Sequence, residues 1–210
     1  MISIITLAQS PFEGILKMDL VNPSNNEKSS ITWWVKNGQH LMEVNSLTNN
    51  VNANYTLIMD KSSSNIKMLA EANGQKMLYN IPGDQIKSKL AVGDNAAVTK
   101  SKDTKTIAGK SCKKVILKDS KGKTIAWITN GLHIDSKNLP DAFKNGSVLS
   151  ALEKNGITGY PLEIVATDLA GNLVYSQVFK SISPQAISDD TFTLPTNVNS
   201  LEQNMSIQAK

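Results

Sequence analysis

The sequence predicts a mainly β fold: one antiparallel sheet with a single apolar face, covered by one or two helices and enclosing an apolar cavity. Three observations predict it. Most of the chain alternates apolar and polar residues with a period of two, which sends successive side chains to opposite faces of a strand. The alternating runs are joined by short turns such as Asn37-Gly38 and Asn73-Gly74, whose residues accept the positive φ of a two-residue hairpin. The length, 210 residues, suits one large β domain of ~200–250 residues.

In chain order, strand-like runs occupy 12–21, 31–36, 40–45, 55–60, 66–71, 76–80, 113–118, 124–128, 162–167 and 173–182. Neighbours joined by short turns are antiparallel, so most of the chain reads as a meander. Two stretches break it. Residues 84–105 are polar and lysine-rich. Residues 139–155 have helical spacing, with Ser147 as N-cap, Val148, Leu149, Ala151 and Leu152 on one stripe, and Gly156 as a stop. A lone helix in a meander covers a sheet face, so a lid is expected near 139–155, in a single domain spanning 9–210.

Sorting each strand by parity separates a dry face from a wet one. The dry face collects Leu16, Met18, Trp33, Met42, Met59, Met68, Met77 and Tyr79, and the lid is expected to turn Phe143, Leu149 and Leu152 towards Trp33 and the methionines. These eleven residues are the candidate lining of an apolar ligand cavity. Methionine is unbranched and polarisable, so it serves both as gap filler in a packed core and as a deformable lining for acyl chains. Both readings are open: a binding protein for a lipid-like ligand, or a structural or interaction protein of the cell envelope with a packed core. The wet face is interrupted by Ile15, Trp34, Leu41, Ile58, Leu69, Leu78 and Ile116. If these align across strands they form a stripe, on which Trp34 would meet a chain terminus or a partner.

Charge narrows the function classes. All 22 basic residues are lysines. Without arginine the chain has no planar fork for phosphates and guanine edges, which argues against nucleic acid as a partner. Residues 84–123 hold eleven lysines against four acids, a local net charge of +7. This stretch is either a solvated flank or a surface for an anionic membrane.

Catalytic constellations are not assembled in the sequence. The single cysteine, Cys112, opens an apolar strand and reads as a buried thiol, with a lysine-activated nucleophile as the alternative. His40 and His133 read as surface histidines. Gly109-Lys110-Ser111 imitates a P-loop ending but precedes a strand, and Thr104 stands where the first glycine is required. Asp189 and Asp190 read as caps of a turn. The sequence therefore points to a non-enzymatic protein with no metal or cofactor. At the N-terminus, residues 1–8 resemble the remnant of a signal peptide, with Thr6 and Ala8 at the small-residue positions of a cleavage site before Gln9. A first strand is the competing reading. These residues lead one to expect export.

The run Lys105-Thr106-Ile107-Ala108-Gly109-Lys110-Ser111-Cys112-Lys113-Lys114-Val115 resembles a strand entry of the exported bacterial domain-of-unknown-function family 4412. Gly159-Tyr160-Pro161-Leu162-Glu163 and the ending Phe192-Thr193-Leu194-Pro195 fit the same pattern. That family is similar to the periplasmic lipoprotein-carrier superfamily. The resemblance implies a strongly curved antiparallel half-barrel, with helices closing over a cavity for acyl chains. It also narrows the expected compartment to the periplasm or cell surface of a Gram-negative bacterium. The carriers control their lid with an arginine and this chain has none, so the implication is an apolar or lipid-like ligand, not lipoprotein carriage.

Overall fold

The computed structural model describes residues 11–59, 65–72, 75–82, 92–93, 95–134, 148–195 and 199–200. Residues 1–8, the Asn73-Gly74 turn, Phe143 and the first part of the expected lid lie outside the described residues.

Alternation produces long strands joined by tight turns: β1 (Gly14–Asn22), β2 (Glu27–Lys36), β3 (Gln39–Thr48), β4 (Val51–Met59), β5 (Asn65–Ala72) and β6 (Gln75–Pro82). They are followed by β7 (Ala97–Ile107), β8 (Lys110–Asp119), β9 (Gly122–Thr129), the helix α1 (Val148–Lys154), β10 (Tyr160–Asp168), β11 (Leu173–Pro184) and β12 (Asn199–Ser200). Both central residues of the Asn37-Gly38, Asn49-Asn50 and Ala108-Gly109 turns have positive φ, the backbone twist that matches two-residue hairpins. The twelve strands form one sheet in the order β12-β6-β5-β4-β3-β2-β1-β11-β10-β9-β8-β7. Among the described strand pairs only β12 on β6 is parallel.

Bulges interrupt the ladders between Lys17 and Met18, Pro161 and Glu163, Ala166 and Thr167, and Lys100 and Thr104. A bulge bends its strand and steepens the local twist. The sheet is accordingly a curved half-barrel, open between its β7 and β12 edges. β7 lies mostly in the polar, lysine-rich stretch 84–105, which carries no apolar alternation. It is an edge strand, and Thr99, Lys100, Lys102, Asp103, Thr104 and Thr106 are all exposed on it. With little to bury, its alternation carries no apolar signal, and its charges discourage further edge pairing.

Cross-strand register puts the dry-face residues into continuous rows. One row runs Leu16, Trp33, Met42, Leu57, Met68, Tyr79; a second runs Met18, Ile31, Val44, Tyr55, Ala70, Met77; a third runs Val35, His40, Met59, Ile66, Ile81. Across β11 the same inner face continues through Phe179, opposite Met18, and Ile182, opposite Leu16. Further along, a row through Val115, Ala126, Ile164, Gln177 and Leu20 carries this face to β8.

The helix lies on the inner face but over its β8–β10 half. Val148, Ala151 and Leu152 pack with Val115, Leu117, Ala126, Ile128 and Ile164. Leu149 alone of the helix reaches the cluster that contains Trp33, Met42 and Met59. Leu152 is therefore not turned towards the methionines, as the sequence reading expected. The helix stands between β9 and β10 in the chain, so it is tethered over those strands.

On the outer face, Ile15, Trp34, Leu41 and Ile58 align as one row. The C-terminal segment covers it with Ile187, Phe192 and Leu194. Two latches hold the strap. The Lys36 ammonium donates to Ile187 O at 2.6 Å and pairs with Asp189 at 2.7 Å, and Ile187 N donates to the Glu13 carboxylate at 2.8 Å. Asp189 and Asp190 sit in the first turn of the 3-10 helix Asp189–Phe192.

Two glycines separate steric from torsional demands. A Cβ on Gly122 would collide with the backbone oxygen of Thr167, whereas one on Gly109, at φ +75°, meets nothing. In urea titrations Gly122→Ala is expected to cost about 3 kcal/mol, and Gly109→Ala about 1 kcal/mol, from the left-handed conformation alone. Equal losses would contradict this packing.

Candidate functional site

The candidate site is a cavity of about 400 Å³ between α1, the chain leaving β9 and the start of β10. Its apolar wall is Leu132, Ile134, Leu149, Leu152, Ile157 and Tyr160, and His133, Glu153 and Thr158 add polar groups to the lining. Local chemistry builds each wall. The helix ends in a glycine cap: Gly156 has φ +62°, Gly156 N donates to Glu153 O at 3.0 Å, and Ile157 N donates to Leu152 O at 2.9 Å. Such a cap reverses the chain and brings the following apolar residue back onto the helix. Ile157 accordingly packs against the cluster that holds Leu152. Gly159, at φ +109°, brings the backbone so near β9 that a Cβ would lie 2.6 Å from Thr129 O. On the other side, Leu132 and Ile134 are buried while His133 between them is exposed, a short alternation that aims two aliphatic side chains inward.

Tyr160 links the cavity to the core. Its ring lies 6.4 Å from Trp33 and 6.0 Å from Phe179, the latter edge-on. Burial pushes its phenol well above the usual tyrosine range. Trp33 in turn donates from Nε1 to His40 Nδ1 at 3.3 Å. His40 is only 1% exposed, so the surface placement expected from sequence is corrected. The signal was present: His40 shares its parity with Met42 and Val44, and it stands opposite Val35 and Met59.

The sequence-derived lining residues divide into three groups. Leu149 and Leu152 line the cavity. Leu16, Met18, Trp33, Met42 and Met59 are buried together in the core. Met68, Met77 and Tyr79 are half-buried on β5 and β6. Leu132, Ile134, Ile157 and Tyr160 were missed because they sit in connections and at a strand start, where no long alternation marks them. A second cavity, about 480 Å³, opens between the β1–β2 and β3–β4 turns beside Val21, Pro23 and Leu47.

The electrostatics of the lysine-rich strands are partly satisfied. Lys105 pairs with Glu163 at 2.7 Å and lies 4.4 Å from the Trp127 ring centroid. Lys114 pairs with Asp103 at 3.0 Å, which holds that carboxyl below the usual range. Lys87 and Lys89 lie outside the described residues. Among the described residues no group of three or more His, Cys, Asp or Glu side chains could hold a metal ion, and no helix is long and apolar enough to cross a membrane.

A family model described as "Domain of unknown function (DUF4412)" matches residues 12–198. Among curated proteins no relative matches the chain. Solved structures give low-identity similarities. An uncharacterized conserved protein of Thermus thermophilus has a TM-score of 0.49 at 8% identity, covering 91% of both chains. The MucA/MucB complex of Pseudomonas aeruginosa contains a chain with a TM-score of 0.47 at 9% identity, covering 89% of this chain and 58% of that one. PNGF-II has a TM-score of 0.42 at 12% identity, covering 90% of this chain and 30% of its own.

Cys112 tests the packing of this half. It is fully buried in the core, with Sγ 3.5 Å from Lys110 O, and burial raises its pKa. The thiol is expected to ignore a disulfide reagent such as Ellman's reagent in the native state and to react completely in denaturant. Rapid native labelling would contradict the burial.

Proposed function

The chain belongs to the DUF4412 family, and from that premise and the geometry above we propose that it is an exported, non-catalytic protein that binds an apolar, lipid-like ligand. One observation carries this reading: the cavity under α1, about 400 Å³ in volume and lined mainly by aliphatic side chains and Tyr160. Ligand sites commonly measure ~300–1,000 Å³ and combine apolar walls with few polar groups. His133, Glu153 and Thr158 supply polar groups for a head group, while the aliphatic wall suits an acyl tail. The lone thiol is buried, which fits a binding role better than a nucleophilic one. The signal-like residues 1–8 support export to the periplasm or cell surface.

A second reading, an envelope interaction protein with a packed core, is favoured by one observation. Leu16, Trp33, Met59 and Ile66 are each 2% exposed or less, so the centre of the β1–β5 inner face is close-packed. Native mass spectrometry of the gently extracted protein separates the two. A retained lipid mass is expected under the first reading, and its absence favours the second. Leu149→Trp, which fills the cavity from a half-buried position, is expected to weaken binding of a fluorescent fatty acid about tenfold, a loss of about 1.4 kcal/mol, with an unchanged urea midpoint. Unchanged affinity would remove the cavity from the function.

A further inference from the structure

The exposed large apolar side chains among the described residues are Leu47, Val51, Leu169, Leu173 and Val174. All five stand at one end of the sheet. The antiparallel registers place the β1–β2, β3–β4, β8–β9 and β10–β11 turns along that same end. Leu169, 79% exposed, is at the β10–β11 tip, and Val51, 65% exposed, flanks the β3–β4 tip. They fall on two hairpins, Leu47 and Val51 on β3–β4 and Leu169, Leu173 and Val174 on β10–β11, with β1 and β2 between them, and nothing in the described chain packs over them.

Lysines alternate with them. Leu173 stands opposite Thr167, Thr167 opposite Lys123, and Lys123 opposite Lys118, so one face of the rim carries an apolar residue and two cations in a row. Lys121 occupies the turn beside them. On the other flank Lys28 stands opposite both Val21 and Leu47. All four lysines are exposed. Of the acids on this rim one is withdrawn, one faces a lysine, and two keep their charge but turn it to N–H donors, mostly of their own turns. Glu27 is 8% exposed. The Asp119 carboxylate accepts from Gly93, Lys121 and Gly122 backbone N–H groups, and that of Asp168 accepts from Asn172. Glu71 stands opposite Lys76.

We infer that this rim is a docking edge for an anionic lipid bilayer, with Leu169 and Val51 entering the interface and Lys28, Lys118, Lys121 and Lys123 meeting lipid phosphates. Charge complementarity selects this occupant. Exposed aliphatic tips combined with lysines are the pattern that binds interfaces through apolar insertion and attraction to anionic head groups. Scattered tips suit a fluid surface, since they form no single contiguous patch of the kind a folded partner buries. The inference is independent of the cavity under α1, which these side chains do not line.

The test is vesicle co-sedimentation of the full chain, with phosphatidylcholine alone and with phosphatidylcholine containing about one-third phosphatidylglycerol. About tenfold stronger binding to the anionic vesicles is expected. Leu169→Asp with Val51→Asp, and separately Lys118→Glu with Lys121→Glu, should each remove most of that binding while the circular dichroism spectrum is unchanged. Lys67→Glu with Lys113→Glu makes the same charge change at exposed positions towards the opposite end of the strands and should retain it. The inference is overturned if the protein does not prefer anionic vesicles. Equal losses in the rim and control variants overturn it too, as does a rim that drives self-association instead.

Discussion

An open sheet with one apolar side cannot stand bare in water, and that constraint organises this molecule. Apolar surface costs roughly 25 cal/mol per Å² when exposed, and here the surface extends across rows from β6 to β8. Curvature answers part of the demand. Bulges at Lys17/Met18, Pro161/Glu163 and Ala166/Thr167 fold the inner face towards itself, so that Trp33, Tyr160 and Phe179 meet across strands from both ends of the chain. The helix covers the β8–β10 half. The cavity lies beside this packed interface, between the helix, the chain leaving β9 and the start of β10.

The outer face meets the same demand in another way. The Ile15–Trp34–Leu41–Ile58 row is too apolar for solvent, and the C-terminal segment lies over it. Its attachment is polar. Lys36 and Glu13 hold the strap by its backbone at Ile187 and by Asp189. A β-strand has two faces and this chain loads both in its central strands, so the central strands are sandwiched while β7 and the rim remain wet. The proposed functions follow this division: an apolar ligand where cover is incomplete inside, a bilayer where the hairpin tips project.

How much was legible in the sequence depends on the range of the signal. Period-two alternation is local, and it assigned Met18, Trp33, Met42, Met59, Met68 and Met77 to one face, where the registers place them. It would also have placed His40, had the histidine been read by its parity instead of its polarity. β7 escaped because an edge strand buries so little that threonine and lysine suffice on it. The cavity was only half legible: Leu149 and Leu152 belong to a helical stripe, but Leu132 and Ile157 enter the site from connections and Tyr160 from a strand start, where no period marks them.

The sequence by itself determined the strand faces, the hairpin turns, the glycine stop after α1 and the single thiol, because each rests on φ, ψ or side-chain alternation within a few residues. Tertiary structure decided the rest. The pairing of Leu16 with Ile182 joins the two ends of the chain, and no local preference encodes it. That pairing sets the strand order, and the strand order decides which hairpins share a rim, which apolar row the C-terminal strap covers, and where the helix leaves a cavity. These are choices among long-range partners, made by total burial and register, and they exist only once the whole sheet has formed.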